Sequence, residues 1–281
     1  MQRIFQWIAL CLLLMLIWVT ALADPLAETE RFFAEPESLS GVIRVPNRGD
    51  MVYYAQNDEL WGALTYEEAH SEKRRPFRDS GCGPTAAAMA VVQVVPVEEL
   101  RQIENASQRP YSLCSCAINA SNCKSHHARY LFSSDRDYLR FLPLICGDFA
   151  AGNNQLGYTS RSDNIVGTSG SFMKGIAEAY GLTFESSTKY EEALAALQAG
   201  KAVVAMAGKG GAFTNTGHYV VFAASDADQV YILDPLARTE YKTNHSSVIH
   251  ILQPGLVSIL HTDVKHALFN NFYFFSNTVP K

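Results

Sequence analysis

The stretch from Ser80 to Val95, SGCGPTAAAMAVVQVV, constrains the fold more than any other. Gly81 and Gly83 make a tight turn. Pro84 suits a first helical turn, where its missing N–H costs nothing. The Ala-rich run behind it lacks a polar face, so it reads as a buried helix. Pro96 ends that helix and can start the next. A cysteine, Cys82, therefore stands between two glycines at the mouth of a core helix.

The rest of the chain is read around this helix. Of 281 residues, 48% are apolar and 18% charged, which excludes a disordered, collagen-like or coiled-coil protein. The formal net charge is -5, and no basic stripe with interleaved aromatics is present, so neither nucleic acid nor an anionic membrane surface is an expected partner. Residues 24–50 read as a lead-in with little core, and Met51 to Tyr54 as a short strand. Asp58 is expected to cap a helix through about Glu68. Residues 105–165 are rich in Asn and Ser, show weak periodicity and read as an insertion. Regular structure then returns. Ser171–Tyr180 and Tyr190–Gln198 read as helices closed by Gly181 and Gly200. Leu182–Glu185, Ala202–Ala207, His218–Ala224 and Val230–Leu233 read as strands. The expected architecture is α+β, one helical half and one β half sharing a cleft, with residues 51–281 as the main domain.

Residues 1–23, MQRIFQWIALCLLLMLIWVTALA, combine one early charge, Arg3, with an apolar run and an Ala-x-Ala ending. That is the form of a secretory signal, with an uncleaved anchor as the competing reading. The expected localisation is exported, secreted or periplasmic, or tethered by the uncleaved segment. Export changes the meaning of the cysteines. Cys114, Cys116, Cys123 and Cys146 are expected to staple the insertion with two disulfides, leaving Cys82 free. A zinc site that recruits His126 or His127 is the alternative. Asn105, Asn119 and Asn244 open glycosylation sequons in form, relevant only in a eukaryote.

Four residues carry candidate chemistry. A thiolate at a helix N-terminus is stabilised by free backbone N–H groups and the helix dipole, which makes Cys82 a candidate nucleophile. His218 opens an apolar strand after the Gly-rich loop GKGGAFTNTG, where an imidazole can take a proton and return it to a leaving group. Asp234 ends the next strand. A turn at Asp226–Asp228 makes the two strands antiparallel neighbours, which brings Asp234 beside His218 to fix its tautomer. Gln56 lies 26 residues before Cys82 and can donate to a developing oxyanion together with the Cys82 N–H.

The segments YYAQND, GCGPTAAAM, GLTFESSTKYEEALAALQAGKAVVAMA and GHYVVFAASDADQVYILDP resemble the stand-alone relatives of bacteriocin-processing cysteine peptidases, within the papain-like superfamily. The matched blocks run from about 52 to 95 and 168 to 235. The resemblance implies a papain-like fold with the nucleophile helix packed on an antiparallel β half. It implies Gln56 in the oxyanion hole, Cys82 as nucleophile, His218 as base and Asp234 as its orienter. A membrane-spanning body and a nucleotide-binding cassette, present in transporter-linked members, are missing from this sequence. The expectation is an exported cysteine peptidase or amide hydrolase acting on a peptide or protein, with no metal or organic cofactor. Acyl transfer from the same acyl-enzyme, or peptide capture without catalysis, are the alternatives.

Overall fold

The computed structural model describes residues 38–63, 76–100, 139–152 and 167–277. The signal-like segment, Cys114, Cys116, Cys123, His126, His127, Asn105 and Asn119 lie outside them. The first described elements form a hairpin, β1 (Gly41–Val45) with β2 (Gly49–Tyr53), antiparallel with Val45 opposite Gly49. The stretch expected to contribute little core thus supplies buried Ile43 and Val45.

The expected helix from Asp58 does not form over residues 58–63, which are turn; residues 64–68 lie outside the described set. Its capping carboxylate is used otherwise. Asp58 is fully buried, and it accepts hydrogen bonds from Leu60 N at 3.0 Å and from Ser40 N and Ser40 Oγ at 2.9 and 2.7 Å. An Asp side chain can satisfy a turn as well as a helix start, and here it pins the chain entering β1.

A four-residue helix, α1 (Phe77–Ser80), runs through Gly81 into α2 (Cys82–Val94). Every residue of α2 from Gly83 to Val91 is buried, as a helix without a polar face requires. It packs on α3 (Leu142–Gly152), α4 (Gly170–Ala179) and the sheet. The helix α3 was not expected, because it falls in the stretch read as an insertion. Its Cys146 is a free, wholly buried thiol in the core, which corrects the expectation that it bridges another cysteine. Burial pushes its ionisation far up, so it stays a neutral thiol.

The β half is one antiparallel sheet of seven strands. Its members are β3 (Thr183–Ser187), β4 (Ala202–Ala207), β5 (His218–Ser225), β6 (Gln229–Leu233), β7 (His250–Gln253), β8 (Leu256–Leu260) and β9 (Phe269–Ser276). Their order is β3-β9-β4-β5-β6-β8-β7. The central strands are continuous apolar runs because both faces are covered. On β4 and β5, Val204 and Val221 meet the helical half, while Val203 and Phe222 meet α5 (Tyr190–Gln198) on the other face. Among the described residues no helix is long and apolar enough to cross a membrane.

Candidate active site

The site lies where α2 begins against one end of the sheet. Cys82 is the first residue of α2, with Gly81 as a cap that offers no side chain. Its thiol is half-buried. Burial alone would raise its pKa, but a hydrogen bond and the charge of His218, with the Tyr219 N–H, outweigh it and lower the value.

His218 reaches the same point from the start of β5 and is 3% exposed. Its Nε2 lies 2.6 Å from Asp234 Oδ1, so Nδ1 is the nitrogen left for the thiol. The sheet register explains the meeting. Val221 pairs with Leu233, so one step along, Val220 stands opposite Asp234. His218 is two residues from Val220 on the same face, a diagonal neighbour of Asp234. Burial would lower the imidazole pKa, but the Asp234 charge and hydrogen bond, joined by Cys82, raise it to about 9. A thiol pulled down beside an imidazole pulled up favours thiolate and imidazolium together.

Asp234 is fully buried, which by itself would raise its pKa, yet the neighbouring cation and hydrogen bonds hold it below 3.8. Its Oδ1 also accepts from Leu236 N at 2.8 Å, and its Oδ2 from Tyr241 Oη at 2.5 Å. Its backbone is fixed too: the N–H donates to Gly255 O at 2.9 Å, and its carbonyl accepts from Tyr53 Oη at 2.8 Å.

Gln56 is 1% exposed and tied to both arms of the site. Its backbone N–H donates to Pro235 O at 2.7 Å, and its Nε2 to Arg78 O at 2.6 Å. Arg78 belongs to α1, the helix immediately before Cys82. The amide nitrogen has a second hydrogen, and an amide oxygen without a partner shows the group is not fully engaged.

The four residues named from the sequence therefore occupy one locality. Cys82, His218 and Asp234 are joined by successive contacts, and Gln56 is tied to the segments that carry Cys82 and Asp234. Sequence reading missed Tyr53, Arg238 and Tyr241. The latter two sit four and seven residues beyond Asp234 in DPLARTEY, where only their proximity in sequence hints at a shared turn. No group of three or more metal-ligating side chains occurs among the described residues.

The pattern that defines the Peptidase_C39 like family matches residues 49–250. The chain belongs to the Peptidase_C39-like family. No curated protein matches it. The family span opens on the first residue of β2 and closes on the first residue of β7, so it contains Gln56, Cys82, His218 and Asp234. Membership implies a cysteine peptidase with a peptide or protein substrate. The strands β8 and β9 lie beyond the family span yet belong to the same sheet.

Proposed function

We propose that this Peptidase_C39-like protein is an exported cysteine peptidase or amide hydrolase using Cys82, His218 and Asp234. The observation that carries the reading is the buried 2.6 Å contact between His218 Nε2 and Asp234 Oδ1, with Cys82 on the ring's other side. Cys82 attacks the scissile carbonyl as a thiolate, and the carbonyl electrons move to oxygen. The second Nε2 hydrogen of Gln56 and the Cys82 N–H donate to that oxyanion. Collapse expels the amine, which takes its proton from the His218 imidazolium. Neutral His218 then takes a proton from water, whose oxygen releases the acyl group and returns the thiolate. Asp234 holds the ring throughout. Export is supported by the basic start, apolar middle and Ala-x-Ala ending of residues 1–23.

The test combines a probe and a library. Cys82 should alkylate with iodoacetamide well below pH 8, where an ordinary thiol is mostly protonated. The protein should cleave members of a broad peptide library under mild reduction, and Cys82→Ala should not. Retained cleavage by the alanine variant would remove Cys82 from the mechanism. Selective alkylation without any cleavage would favour acyl transfer or peptide capture, which an added amine acceptor separates.

A further inference from the structure

Beyond the triad, the loop after β6 places two side chains against the Asp234 oxygen that faces away from His218. Tyr241 Oη donates to Oδ2 at 2.5 Å. Burial first, and then the Asp234 charge, push the Tyr241 phenol far above its ordinary value, so it remains a neutral donor. Arg238 Nε lies 3.6 Å from the same oxygen, too far for a hydrogen bond and close enough for a charge contact. That Nε is buried and has no hydrogen-bond partner. The guanidinium is held elsewhere. Its Nη1 donates to Phe213 O at 2.8 Å, and its carbon sits 4.8 Å from the Tyr241 ring centroid. The Tyr241 ring in turn meets Phe213 edge-on, with centroids 5.8 Å apart. Phe213 is fully buried in the Gly-rich loop that delivers His218.

We propose that Arg238 and Tyr241 are positioning residues that clamp Asp234 Oδ2, so that Oδ1 is presented to His218. The proposal rests on the triad reading above. A carboxylate is planar, and fixing one oxygen fixes the direction of the other. Oδ1 then has two donors in place, His218 Nε2 and Leu236 N. The clamp has an electrostatic effect as well. The hydroxyl dipole and the guanidinium both draw on the negative charge of Asp234, which limits how strongly it holds the proton on His218. The other titratable groups near this centre are Cys82 from α2 and Tyr53 from β2, with Asp58 acting on Tyr53. None of them occupies Oδ2.

The sign follows. Removing either clamp residue leaves Asp234 more strongly negative as seen by His218, and the imidazolium loses its proton at a higher pH. The probe is iodoacetamide on the full chain, with the Cys82 alkylation rate followed against pH. A paired thiolate gives a first rise as the ion pair forms. A second rise follows as His218 deprotonates and frees a more reactive thiolate. In Tyr241→Phe and Arg238→Gln the second rise should move to higher pH. Arg238→Lys, which keeps the charge, should lie between Arg238→Gln and the native protein. Turnover of any peptide cleaved by the native protein should fall about tenfold in kcat with KM little changed. A residue that only supports the fold would lower the melting temperature and leave the second rise in place. A second rise that is unmoved in both variants overturns the clamp and leaves the triad standing, whereas one that is lowered supports it, with the loosened Oδ1 contact outweighing the added charge. A native protein without the first rise overturns the triad reading, and the clamp with it. If Tyr241→Phe does not fold, Arg238→Gln decides the question alone, because its side chain is partly solvent-exposed.

Discussion

The carboxylate of Asp234 accepts hydrogen bonds on both oxygens, which makes its two small replacements unequal. Asparagine has one acceptor oxygen. The Oδ1 position faces two donors, His218 Nε2 and Leu236 N, so the amide oxygen belongs there. The amide nitrogen then faces Tyr241, whose hydroxyl can turn to accept, and Arg238, which cannot. Ring orientation survives in Asp234→Asn while the charge is lost. In Asp234→Ala both are lost, and His218 is free to rotate. A thiolate–imidazolium pair forms before substrate is attacked, so geometry at the orienter matters more than charge. We therefore expect Asp234→Ala to lose about 10- to 1000-fold in kcat, about 1.4 to 4 kcal/mol of transition-state stabilisation, and Asp234→Asn to lose less. Steady-state kinetics on a peptide the native protein cleaves decides this. Equal losses would assign the effect to charge. An alanine variant that behaves as the native protein would reduce Asp234 to a strand-exit residue, with Asp226 and Asp228 next to be tried.

Among the elements, the turn between β7 and β8 shows how a distant segment supports the site. Gly255 there has φ +84, and a Cβ on it would lie 2.2 Å from the Tyr53 ring. The same residue accepts from Asp234 N, and Tyr53 donates to Asp234 O. Gly200, which follows α5, has a similar φ of +81 with nothing within 4 Å of its missing Cβ. Gly200→Ala should therefore cost only the left-handed backbone strain, ~1–2 kcal/mol. Gly255→Ala should cost more, and should also weaken turnover by displacing Tyr53. Urea unfolding of the two variants tests the difference, and equal destabilisation would mean that Tyr53 yields freely. The sequence exposes some of these elements better than others. The α2 helix and the strands β4, β5 and β6 are legible because short-range signals agree, with glycine or turn residues bounding unbroken apolar runs. The juxtaposition of His218 and Asp234 is legible because a short turn joins their strands. The β9 strand escapes the reading because it pairs with β3 and β4, more than 60 residues away in sequence, and no local signal records that. The hairpin residue Val45 was hidden by prolines around it, and α3 by the polar stretch before it. Asp58 misled because a turn can use the same capping carboxylate as a helix. Arg238 and Tyr241 could not be chosen from other polar residues until the loop's path brought both to one oxygen.

For the molecule as a whole, the coupled site imposes a pH signature on stability. His218 is raised from 6.5 to about 9, so it contributes stability that is complete below 6.5 and lost as pH rises through about 9. Cys82 is lowered from 9.0, so it adds stability as pH climbs past its folded value toward 9.0. These slopes oppose each other and partly cancel in the native protein. Asp234, lowered from 3.8, adds an acid limb: its contribution is present above that value and lost as pH falls through the folded one. Cys82→Ala removes the term that rises with pH. Its melting temperature should fall more steeply than the native one above pH 6.5, over a window narrowed because the thiolate no longer supports His218. Calorimetry at a series of pH values checks this, and parallel curves would mean that the two groups do not titrate as a pair. The sheet order also sets a timetable during synthesis. The β3 strand has only β9 beside it, and β4 lies between β9 and β5. Residues 218 and 276 are 58 positions apart, which a ribosome covers in about 3 to 12 s at 5–20 residues per second. Through that interval the newborn chain already holds its cysteine and histidine, but the sheet between β3 and β4 is still open. Every residue of the site precedes β9, so in a nascent molecule the segments that carry the chemistry are made before the sheet can close between β3 and β4.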